Sequence, residues 1–432
     1  MHLSSWGRLY QSKTTISFLE REHPSSVFQQ QSSILVQGQG RSYGDVCLTS
    51  DANTVLTHGY RYFKSFDPET GVLICESGVL LKDIQDTFIP QGWMLAVTPG
   101  TQLISVGGAI ANDIHGKNHH VRGNFGHHVL EIELLRSDFQ RIICSREHNA
   151  EFFYATVGGI GLTGVILTVK IQLLAIQSTH LDVEYLNFKG IAEFLSLAKQ
   201  SDVWEYTVSW IDCLSGKNVR GIFMRANHQQ EHLPNQLTVV PTKATKTLPF
   251  TPSISCINLL SLKAFNQFYY YFNQKPRSIQ QHLYQFQYPL DTINNWNVLY
   301  GKKGFYQYQC VVPYEHAQAA IEDLLDIIHQ AQQGSFLVVL KAFGDLPSEG
   351  LLSFPTQGLT LALDFPNLGE KTLQLFEKLD AVVSQAKGRL YLAKDARMSQ
   401  EMFFESYQHA KKFEQYRDPA ISSDMSKRLF GY

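Results

Sequence analysis

The sequence has no excess of positive charge and no long uninterrupted apolar run. Its 432 residues include 37 Lys and Arg against 39 Asp and Glu, so it has no basic field to hold nucleic-acid phosphates. The first residues, MHLSSWGRLYQSK, are polar or charged where a secretory signal has an apolar core. The longest apolar run, 157–176, is interrupted by Lys170 and Gln172. We therefore predict a cytoplasmic protein without a nucleic-acid partner, a signal peptide or a transmembrane helix.

Closely spaced cysteines are also missing. The sequence has six cysteines, no CxxC pair, and a length that needs no disulfides for stability. We expect all of them to be reduced and mostly buried as small core residues. They are Cys47, Cys75, Cys144, Cys213, Cys256 and Cys310.

A metal-binding signature is absent too. Histidines are frequent between positions 115 and 128, but neither HExxH nor a Cys/His pattern occurs, so we predict no metal site. Two interpretations remain: polar loop histidines satisfied by their neighbours, or a redox pocket in which His115 and Lys117 lie near a cofactor ring. The histidines in question are His115, His119, His120, His127 and His128.

The order of the elements predicts an α+β protein of two or more domains. Up to about residue 172, short strand-like runs alternate with glycine-rich turns and short helices. From Phe305 the pattern predicts a split β-α-β-β-α-β unit, whose helices share one face of a sheet while the other face roofs a pocket. The tail opens with Ser399 as a helix cap and is interrupted at Pro419. We find no internal repeat.

Two segments near the middle of the chain are predicted to form a long loop and an aromatic helix. Residues 236–256 contain several prolines and Lys-Thr steps, and predict a long irregular loop of the kind that often acts as a lid. The aromatic stretch FNQFYYYF favours a core helix over a membrane anchor. Contact with a membrane is therefore expected to be peripheral at most.

Two glycine-rich segments carry the strongest chemical signal. GQGRSYGD, Gly38–Asp45, follows the strand ILVQ, and its glycines allow backbone amides to approach a diphosphate. VTPGTQLISVGGAIANDIHGKNHH, Val97–His120, places Gly-Gly at a helix start, where amides would complement a second phosphate. Together they predict a dinucleotide held between subdomains.

A third glycine cluster resembles a dinucleotide fingerprint without its context. Residues 159–164, GIGLTG, match GxGxxG, but a helix-like segment precedes them and a β-branched strand follows. The order is the reverse of a Rossmann unit. We interpret this turn as backbone pressed against a flat ligand.

Polar residues in otherwise apolar strands indicate a pocket wall. Lys394 ends a strand in RLYLAKDAR, and Lys341 interrupts FLVVLKAFG. Alternation also groups polar positions on one face of each of two strands. Each such residue taken singly is as compatible with a solvated or edge position. The grouped positions are Gln307 with Gln309, and Thr360 with Ala362 and Asp364.

At these motifs the sequence resembles the FAD-binding oxidases of the vanillyl-alcohol oxidase superfamily, and most of all the decaprenylphosphoryl-β-D-ribose 2'-oxidase family. The similarity includes SSWGRL, GRSYGD, GWMLAVTPGTQLISVGGAIANDIHGKNHH, ATVGGIGLTGVI, YTVSWID, GRLYLAKDAR and SDMSKRL. It implies a two-domain PCMH-type FAD-binding fold. The implied domains are an FAD-binding domain (1–172), a substrate-binding domain with the split unit (173–388), and a C-terminal segment that returns to the FAD domain (389–432).

The resemblance also assigns residues. It implies Lys394, His115 and Tyr43 as catalytic. The cofactor-binding set would be Gly38, Gly40, Arg41, Ser42, Tyr43, Gly44, Pro99, Gly100, Thr101, Gly107, Gly108, Asn112, His115, Gly116, Lys117, Gly159, Gly161, Gly164 and Tyr391. The substrate-binding set would be Trp210, Gln307, Gln309, Lys341, Thr360, Ala362 and Lys394.

The implied reaction is FAD-dependent oxidation of the 2'-hydroxyl of a polyprenyl-phosphoryl-β-D-ribose to the 2'-keto sugar, with an NAD(P)H-dependent short-chain reductase completing an epimerisation to arabinose. The first glycine loop has no histidine, so the resemblance implies non-covalent FAD. Ala362 stands where relatives can carry a cysteine. Two alternatives remain: an aldonolactone or alditol oxidase acting on a soluble sugar, and a non-catalytic flavoprotein subunit.

Overall fold

The computed structural model describes residues 2–29, 33–229 and 246–431. The strands are β1 His2–Ser4, β2 Gln11–Lys13, β3 Ile16–Phe18, β4 Ile34–Gln37, β5 Asn53–Leu56, β6 Phe63–Asp67, β7 Val72–Glu76, β8 Trp93–Leu95, β9 Val129–Leu135, β10 Arg141–Cys144, β11 Val165–Ala175, β12 His180–Lys189, β13 Tyr206–Ile211, β14 Arg220–His228, β15 Lys246–Thr247, β16 Arg277–His282, β17 Ile293–Asn294, β18 Phe305–Val312, β19 Val338–Phe343, β20 Gly358–Pro366 and β21 Arg389–Leu390.

The helices are mostly short in the N-terminal part and long beside the largest sheet. They are α1 Leu81–Phe88, α2 Val106–Ala111, α3 His119–Arg122, α4 Ala150–Thr156, α5 Ile191–Gln200, α6 Leu259–Asn273, α7 Leu283–Gln287, α8 Tyr314–Ala331, α9 Glu370–Gln385, α10 Gln400–Ser406, α11 Ala410–Phe413 and α12 Asp424–Phe430. In the described part of the chain, no helix combines the length and apolarity needed to cross a bilayer.

The N-terminal part is built on two main sheets. β3, β5 and β4 form a parallel three-stranded sheet, and an antiparallel sheet has the order β10-β9-β11-β7-β6 with β8 paired to the far end of β11. The strand-like runs seen in the sequence supply six of these strands: β4, β7, β8, β9, β10 and β11. The predicted strand-rich α+β pattern is confirmed.

The largest sheet contains the split unit predicted from Phe305. Its full order is β16-β12-β14-β13-β19-β20-β18-β21, and the unit β18-α8-β19-β20-α9-β21 occupies one half. Phe376 of α9 contacts Phe365 and Tyr308, which point to one face of this sheet. The last strand, β21, begins at Arg389, one residue beyond the predicted end of the middle domain.

The other half of this sheet repeats the same strand order, which the sequence analysis missed. β12-α5-β13-β14-α6-β16 has the spatial order β16-β12-β14-β13, matching β21-β18-β20-β19, and the halves join through β13 and β19. The repeat is one of topology, not of residues. One helix departs from it: Tyr269 of α6 packs on Trp210, on the face opposite α5.

The C-terminal segment packs on the N-terminal strands. Ser399 Oγ accepts a hydrogen bond from the Met402 amide at 3.1 Å, which confirms the predicted cap of α10. The Ile34 amide donates to Ala420 O at 2.8 Å. Arg428 pairs with Asp45 at 2.9 Å. These contacts agree with a tail that returns to the first part, while the boundaries near 172 and 388 stay predictions.

Two further expectations meet mixed outcomes. All six cysteines are free, as predicted, but Cys256 is exposed and Cys47 only partly buried. Of the loop expected at 236–256, residues 236–245 lie outside the described residues. Its remainder is irregular except for β15, which pairs in parallel with β17.

Candidate active site

A cavity of about 440 Å³ lies between the two glycine-rich loops and one face of the largest sheet. Its walls bring together residues that are up to 388 positions apart in the chain, from Trp6 to Lys394. The loop that contains Asp291 and Trp296 forms part of its rim. The predicted cofactor loops and the predicted substrate strands therefore face a single space.

The first glycine loop is held by backbone hydrogen bonds at Ser42 and Tyr43. The Tyr43 amide donates to Ala393 O at 3.1 Å, and Ser42 O accepts from the Trp6 amide. In the described part of the chain, no carbonyl accepts from the amides of residues 38–42, so these donors remain available to an anion. Gly44 has a different role: a Cβ there would meet Asp395 O at 1.8 Å.

The second glycine segment forms a capped helix start, but its amides do not serve as predicted. Ser105 caps α2. The amides of Val106, Gly107 and Gly108 donate to Val79 O, Ser77 O and Ser105 Oγ. Because these donors are already used within the fold, they cannot cradle a second phosphate. The predicted residues of this segment that line the cavity are Pro99, Gly100, Thr101, Gly107, Gly108, Asn112, His115, Gly116 and Lys117.

The third glycine cluster lies between α4 and β11, which confirms that it is not a Rossmann turn. Gly161 (φ +78°) and Gly164 (φ +151°) adopt conformations that favour glycine, and both line the cavity. The Ile160 amide donates to Ala111 O at 2.7 Å, which joins this turn to α2. Gly159, which was predicted to bind the cofactor, does not line the cavity; it packs on α4, where a Cβ would meet Ala155 O at 2.0 Å.

The predicted polar strand positions share the cavity face of the sheet. Gln307 lies opposite Asp364, and Gln309 opposite Ala362, in the β18–β20 pairing. Lys341 lies opposite Thr360 in the β19–β20 pairing. Directly opposed residues point to the same side of a sheet. All of these except Thr360 line the cavity.

One predicted substrate residue lies elsewhere. Trp210 shares the sheet face of the cavity, but its indole packs on Tyr269 at 4.6 Å and donates to Phe336 O at 3.2 Å. Helix α6 covers it there. Val208, two residues earlier on the same strand, lines the cavity instead. The expectation that Trp210 lines the pocket is wrong, because α6 packs on this face.

His115 is the centre of a buried hydrogen-bonded network. Gln309 Nε2 lies 3.0 Å from His115 Nε2 and donates to Thr360 Oγ1 at 3.2 Å. Lys341 Nζ lies 3.0 Å from His115 Nδ1 and donates to Gly116 O at 3.0 Å. Burial and the Lys341 charge lower the pKa of His115 well below its usual value, so the imidazole is neutral.

The proton on that neutral imidazole has a defined place. If Gln309 donates to Nε2, the ring proton lies on Nδ1 and Lys341 must accept it as an uncharged amine. Burial and the charge of Lys394 lower the pKa of Lys341 to about 7, which makes that form accessible near neutrality. In that arrangement Gln309, His115 and Lys341 form a hydrogen-bonded relay without net charge.

Lys394 does not end a strand as predicted: β21 stops at Leu390, and Lys394 lies in the turn that follows. There it lies between an aromatic ring and a carboxylate. Its Nζ is 3.8 Å from the centroid of the Tyr43 ring. Burial lowers the pKa of Lys394, and the Asp364 carboxylate acts in the opposite direction. Asp364 in turn accepts from Gln307 Nε2 at 2.5 Å. Lys394 is therefore a buried amine close to its point of deprotonation.

Lys117 and Tyr391 complete the predicted cluster from opposite sides. Lys117 Nζ donates to Phe286 O and, at 3.2 Å, to Gln287 O. Burial lowers the pKa of Lys117 to about 7. The Tyr391 hydroxyl donates to Asn112 O at 2.9 Å and its ring stacks on Phe354 at 4.6 Å. Both residues line the cavity.

Unpaired polar atoms on the cavity wall test whether a dinucleotide fits. Among the described residues, Thr57 Oγ1, Ser77 Oγ, Asn112 Oδ1 and Gln287 Nε2 are buried there without a hydrogen-bond partner. Burying such atoms unpaired is costly, so they point to a polar ligand. Two glycine turns, free amides and these atoms fit a nucleotide with hydroxyl, amide and phosphate groups.

Sequence reasoning missed two carboxylates of the site. Asp113 has φ +39° and accepts from the Gly126 amide, Asn124 and Ser353, which fixes the loop that carries His115. Asp291 Oδ2 accepts from the Gln102 amide at 2.9 Å and faces the cavity. The only signal for Asp113 was an acid within a glycine-rich segment. The contact of Asp291 with the Gln102 amide could not be predicted, because the two residues are distant in sequence.

The remaining histidines of this region bind protein atoms. His119 Nδ1 accepts from the Gly344 amide, and His120 Nε2 lies 2.8 Å from Trp204 O. His127 and His128 contact Pro347 O and Arg122 O. In the residues described, no group of three or more His, Cys, Asp or Glu could hold a metal ion.

Comparison with known proteins shows which family the chain resembles. The model of the FAD binding domain family matches residues 27–145. The decaprenylphosphoryl-β-D-ribose oxidase of Mycolicibacterium smegmatis is 32% identical over 99% of this chain and 97% of its own length. The L-gulonolactone oxidase of Mus musculus is 28% identical over 38% of this chain and 37% of its own. The D-arabinono-1,4-lactone oxidase of Eremothecium gossypii is 21% identical over 44% of this chain and 37% of its own.

The lactone oxidases match less than half of the chain, whereas the ribose oxidase matches nearly all of it. The family match at 27–145 spans both glycine loops. The chain therefore belongs to the decaprenylphosphoryl-β-D-ribose oxidase family of FAD-dependent oxidoreductases.

Proposed function

We propose that this protein oxidises the 2'-hydroxyl of a polyprenyl-phosphoryl-β-D-ribose to the 2'-keto sugar with non-covalently bound FAD. One observation carries the proposal: a single cavity joins the glycine loops to a wall formed by Lys341, Gln309 and Gln307 of the sheet and by Lys394 of the turn after β21. The N-terminal loops hold the nucleotide, and the sheet face holds the sugar.

The cofactor assignment follows from the wall chemistry. The amides of residues 38–42 would bind the diphosphate, and the open backbone at Gly161 would lie along the flat part of the ligand. The unpaired atoms of Asn112 and Gln287 would bind its polar groups. The loop 38–45 offers no histidine for a covalent bond. Acid precipitation of the protein should therefore release the flavin into the supernatant.

FAD, when bound, supplies the acceptor for the hydride of the carbinol C–H bond. The hydroxyl proton must leave together with that hydride. Lys394 is the residue we assign to take it, because burial brings its amine close to the neutral form. The Asp364 carboxylate then stabilises the ammonium group that results.

The neutral relay of Gln309, His115 and Lys341 orients the sugar. Its members are anchored to Thr360 and Gly116, so their donors and acceptors point into the cavity in fixed directions. Fixed donors and acceptors select one hydroxyl and exclude misoriented sugars. Tyr43, whose pKa burial raises well above its usual value, stays protonated beneath Lys394.

The product defines the partner. A 2'-keto sugar becomes arabinose when hydride is delivered to the face opposite the one from which it was removed. We assign that step to a separate NAD(P)H-dependent short-chain reductase. A cytoplasmic location with peripheral membrane contact belongs to the same proposal.

An oxidase acting on soluble aldonolactones is the second candidate. It is favoured by the partial similarity to the two lactone oxidases. A non-catalytic flavoprotein subunit is disfavoured because Lys394, Lys341 and His115 are buried. Removing these titratable groups from water costs stability, and a purely structural subunit would gain nothing from that cost.

Anaerobic titration of the flavin absorbance separates these functions. We expect polyprenyl-phosphoryl-β-D-ribose to bleach the flavin, and its arabinose epimer and L-gulono-1,4-lactone to leave it oxidised. Bleaching by the lactone alone would favour the second candidate. Bleaching by none of the three would leave the non-catalytic subunit.

A further inference from the structure

Exposed apolar side chains are concentrated beside the cavity. Nineteen large hydrophobic residues are exposed in the described part of the chain, and nine of them lie between residues 250 and 293. That segment is about a tenth of the sequence. Scattered exposed apolar residues are ordinary, but a cluster marks a contact surface.

Helix α6 carries the centre of this cluster and is apolar on two faces. Leu262, Asn266 and Tyr270, spaced by four residues, are buried against the sheet. An ordinary amphipathic helix would be polar on its other side. The polar residues of α6 instead occupy a narrow strip that includes Lys263 and Gln267.

The outward face of α6 is an apolar stripe. Leu260, Phe268 and Phe272 lie one to three turns apart and are 80%, 63% and 67% exposed. Tyr271 lies beside them and is 63% exposed. Phe268 and Phe272 stack at 6.3 Å. We call Leu260, Phe268, Tyr271 and Phe272 the α6 stripe.

The described segment that carries the stripe has charge of one sign. Residues 246–290 contain four Lys and Arg and no Asp or Glu, in a chain with 39 acidic residues. Lys263 and Lys275 are exposed on and next to α6. Aromatic rings with lysines and without acids are the chemistry that binds the interface of an anionic bilayer.

Helix α6, which carries the stripe, packs next to a strand segment of the cavity wall. Phe265 of α6 contacts Phe336 at 4.8 Å, and the next residue, Leu337, lines the cavity. Farther along, β15 pairs with β17, whose residues Ile293 and Asn294 also line it. A surface held by the stripe would therefore lie close to the cavity rim.

We propose that the α6 stripe docks on the surface of an anionic phospholipid membrane and brings the cavity close to a substrate held there. The docking deepens the proposed function and rests on it for the lipid-linked sugar. Aromatic and leucine side chains enter the interface, while Lys263 and Lys275 contact lipid phosphates. The attachment is peripheral and reversible.

Flotation of the flavin-loaded full-length protein with vesicles tests the docking without any substrate. We expect binding to vesicles of phosphatidylcholine with phosphatidylglycerol, weaker binding without phosphatidylglycerol, and release at high salt. The double variant Phe268→Ser, Phe272→Ser should bind about tenfold less. Lys263→Glu with Lys275→Glu should also weaken binding. The matched control, Tyr62→Ser with Phe139→Ser, removes exposed rings elsewhere and should bind like the wild type.

Equal vesicle binding by the stripe variant and the wild type would overturn the proposal, as would no binding by the wild type. Light scattering could instead show a dimer that is present in the wild type and in the control and absent in the stripe variant. The stripe would then bind a second copy of the chain, and the docking proposal would be overturned. Flavin bleaching by a short-chain substrate in detergent separates the two claims. Its failure would count against the proposed function, whereas normal bleaching with no vesicle binding would reject the docking alone.

Discussion

The two faces of β20, a central strand of the largest sheet, are chemically opposite. On β20, Leu361, Leu363 and Phe365 point to the face covered by α8 and α9, and each is fully buried. The alternate positions, Ala362 and Asp364, point into the cavity. Because successive side chains of a strand point to opposite faces, β20 contributes to the packed core with one set of residues and to the cavity wall with the other.

The apolar face of the sheet serves stability, and the cavity face serves function. The packed face stabilises the fold through apolar burial. The cavity face instead buries Lys341, Lys394 and Asp364, which costs stability unless networks or a ligand compensate. Substitutions on the two faces should therefore change different observables.

The largest effect is expected from Lys394→Met on the cavity face. Without the amine, flavin reduction by the ribose lipid should slow by about 100-fold or more, because the hydroxyl proton has no acceptor. Flavin content should stay normal. Stopped-flow absorbance in single turnover measures both. Lys378→Met, an exposed position on α9, is the matched control. An unchanged rate in Lys394→Met would remove this lysine from the chemistry.

Leu363→Ala tests the packed face of the same strand. Its side chain is fully buried, so the free energy of unfolding should fall by about 2–4 kcal/mol. The flavin reduction rate of the folded protein should change by less than about twofold. Urea unfolding and stopped-flow kinetics give the two numbers. A slow but fully stable variant would contradict the division between the faces.

Much of the fold could be predicted because its signals are local. The strand at 34–37, the cap at Ser399 and the split unit from Phe305 depend on alternation, capping and breakers within a few residues. The same strand order in β12–β16 was not predicted, since the two halves of the sheet share no repeated sequence. The placement of α6 on the cavity face, which displaced Trp210, depends on tertiary packing alone.

The candidate site shows the same limit. Glycine loops and strand alternation placed Gly38, Gln309 and Lys341 on the cavity wall. The use of the Gly107 amide within the fold required knowing that Ser77 lies beside it. Asp291 joins the site through the distant Gln102 amide. Contacts between residues far apart in sequence were the ones that sequence reasoning missed.

Lys341→Met measures the stability cost of the cavity face. Burial lowers the folded-state pKa of Lys341 to about 7, below its unfolded value, so its penalty is full below about pH 7 and shrinks as the pH rises toward 10. The variant should therefore be more stable than the wild type by about 2 kcal/mol at pH 6, and equal near pH 10. Urea unfolding of the FAD-saturated proteins across this range checks the sign. A difference independent of pH would contradict the assignment.

The smallest effect is expected from Ala362→Ser, which adds one hydroxyl to the cavity face. Ala362 lines the cavity, so the new group does not enter a packed core. Thermal unfolding should shift by less than about 0.5 kcal/mol. Leu361→Ser, its neighbour on the other face, is the matched comparison and should be strongly destabilised. A similar loss of unfolding free energy in the two variants would contradict the difference between the faces.

The most direct test is the reduction potential of the bound flavin. If the cavity face covers the flavin ring, removing the Lys394 cation disfavours the reduced, more negative form. Lys394→Met should then lower the midpoint potential by on the order of 30 mV, which corresponds to about 1.4 kcal/mol for two electrons. Lys378→Met should leave the potential unchanged. Equal potentials in all three proteins, or a wild type that binds no FAD, would contradict the account.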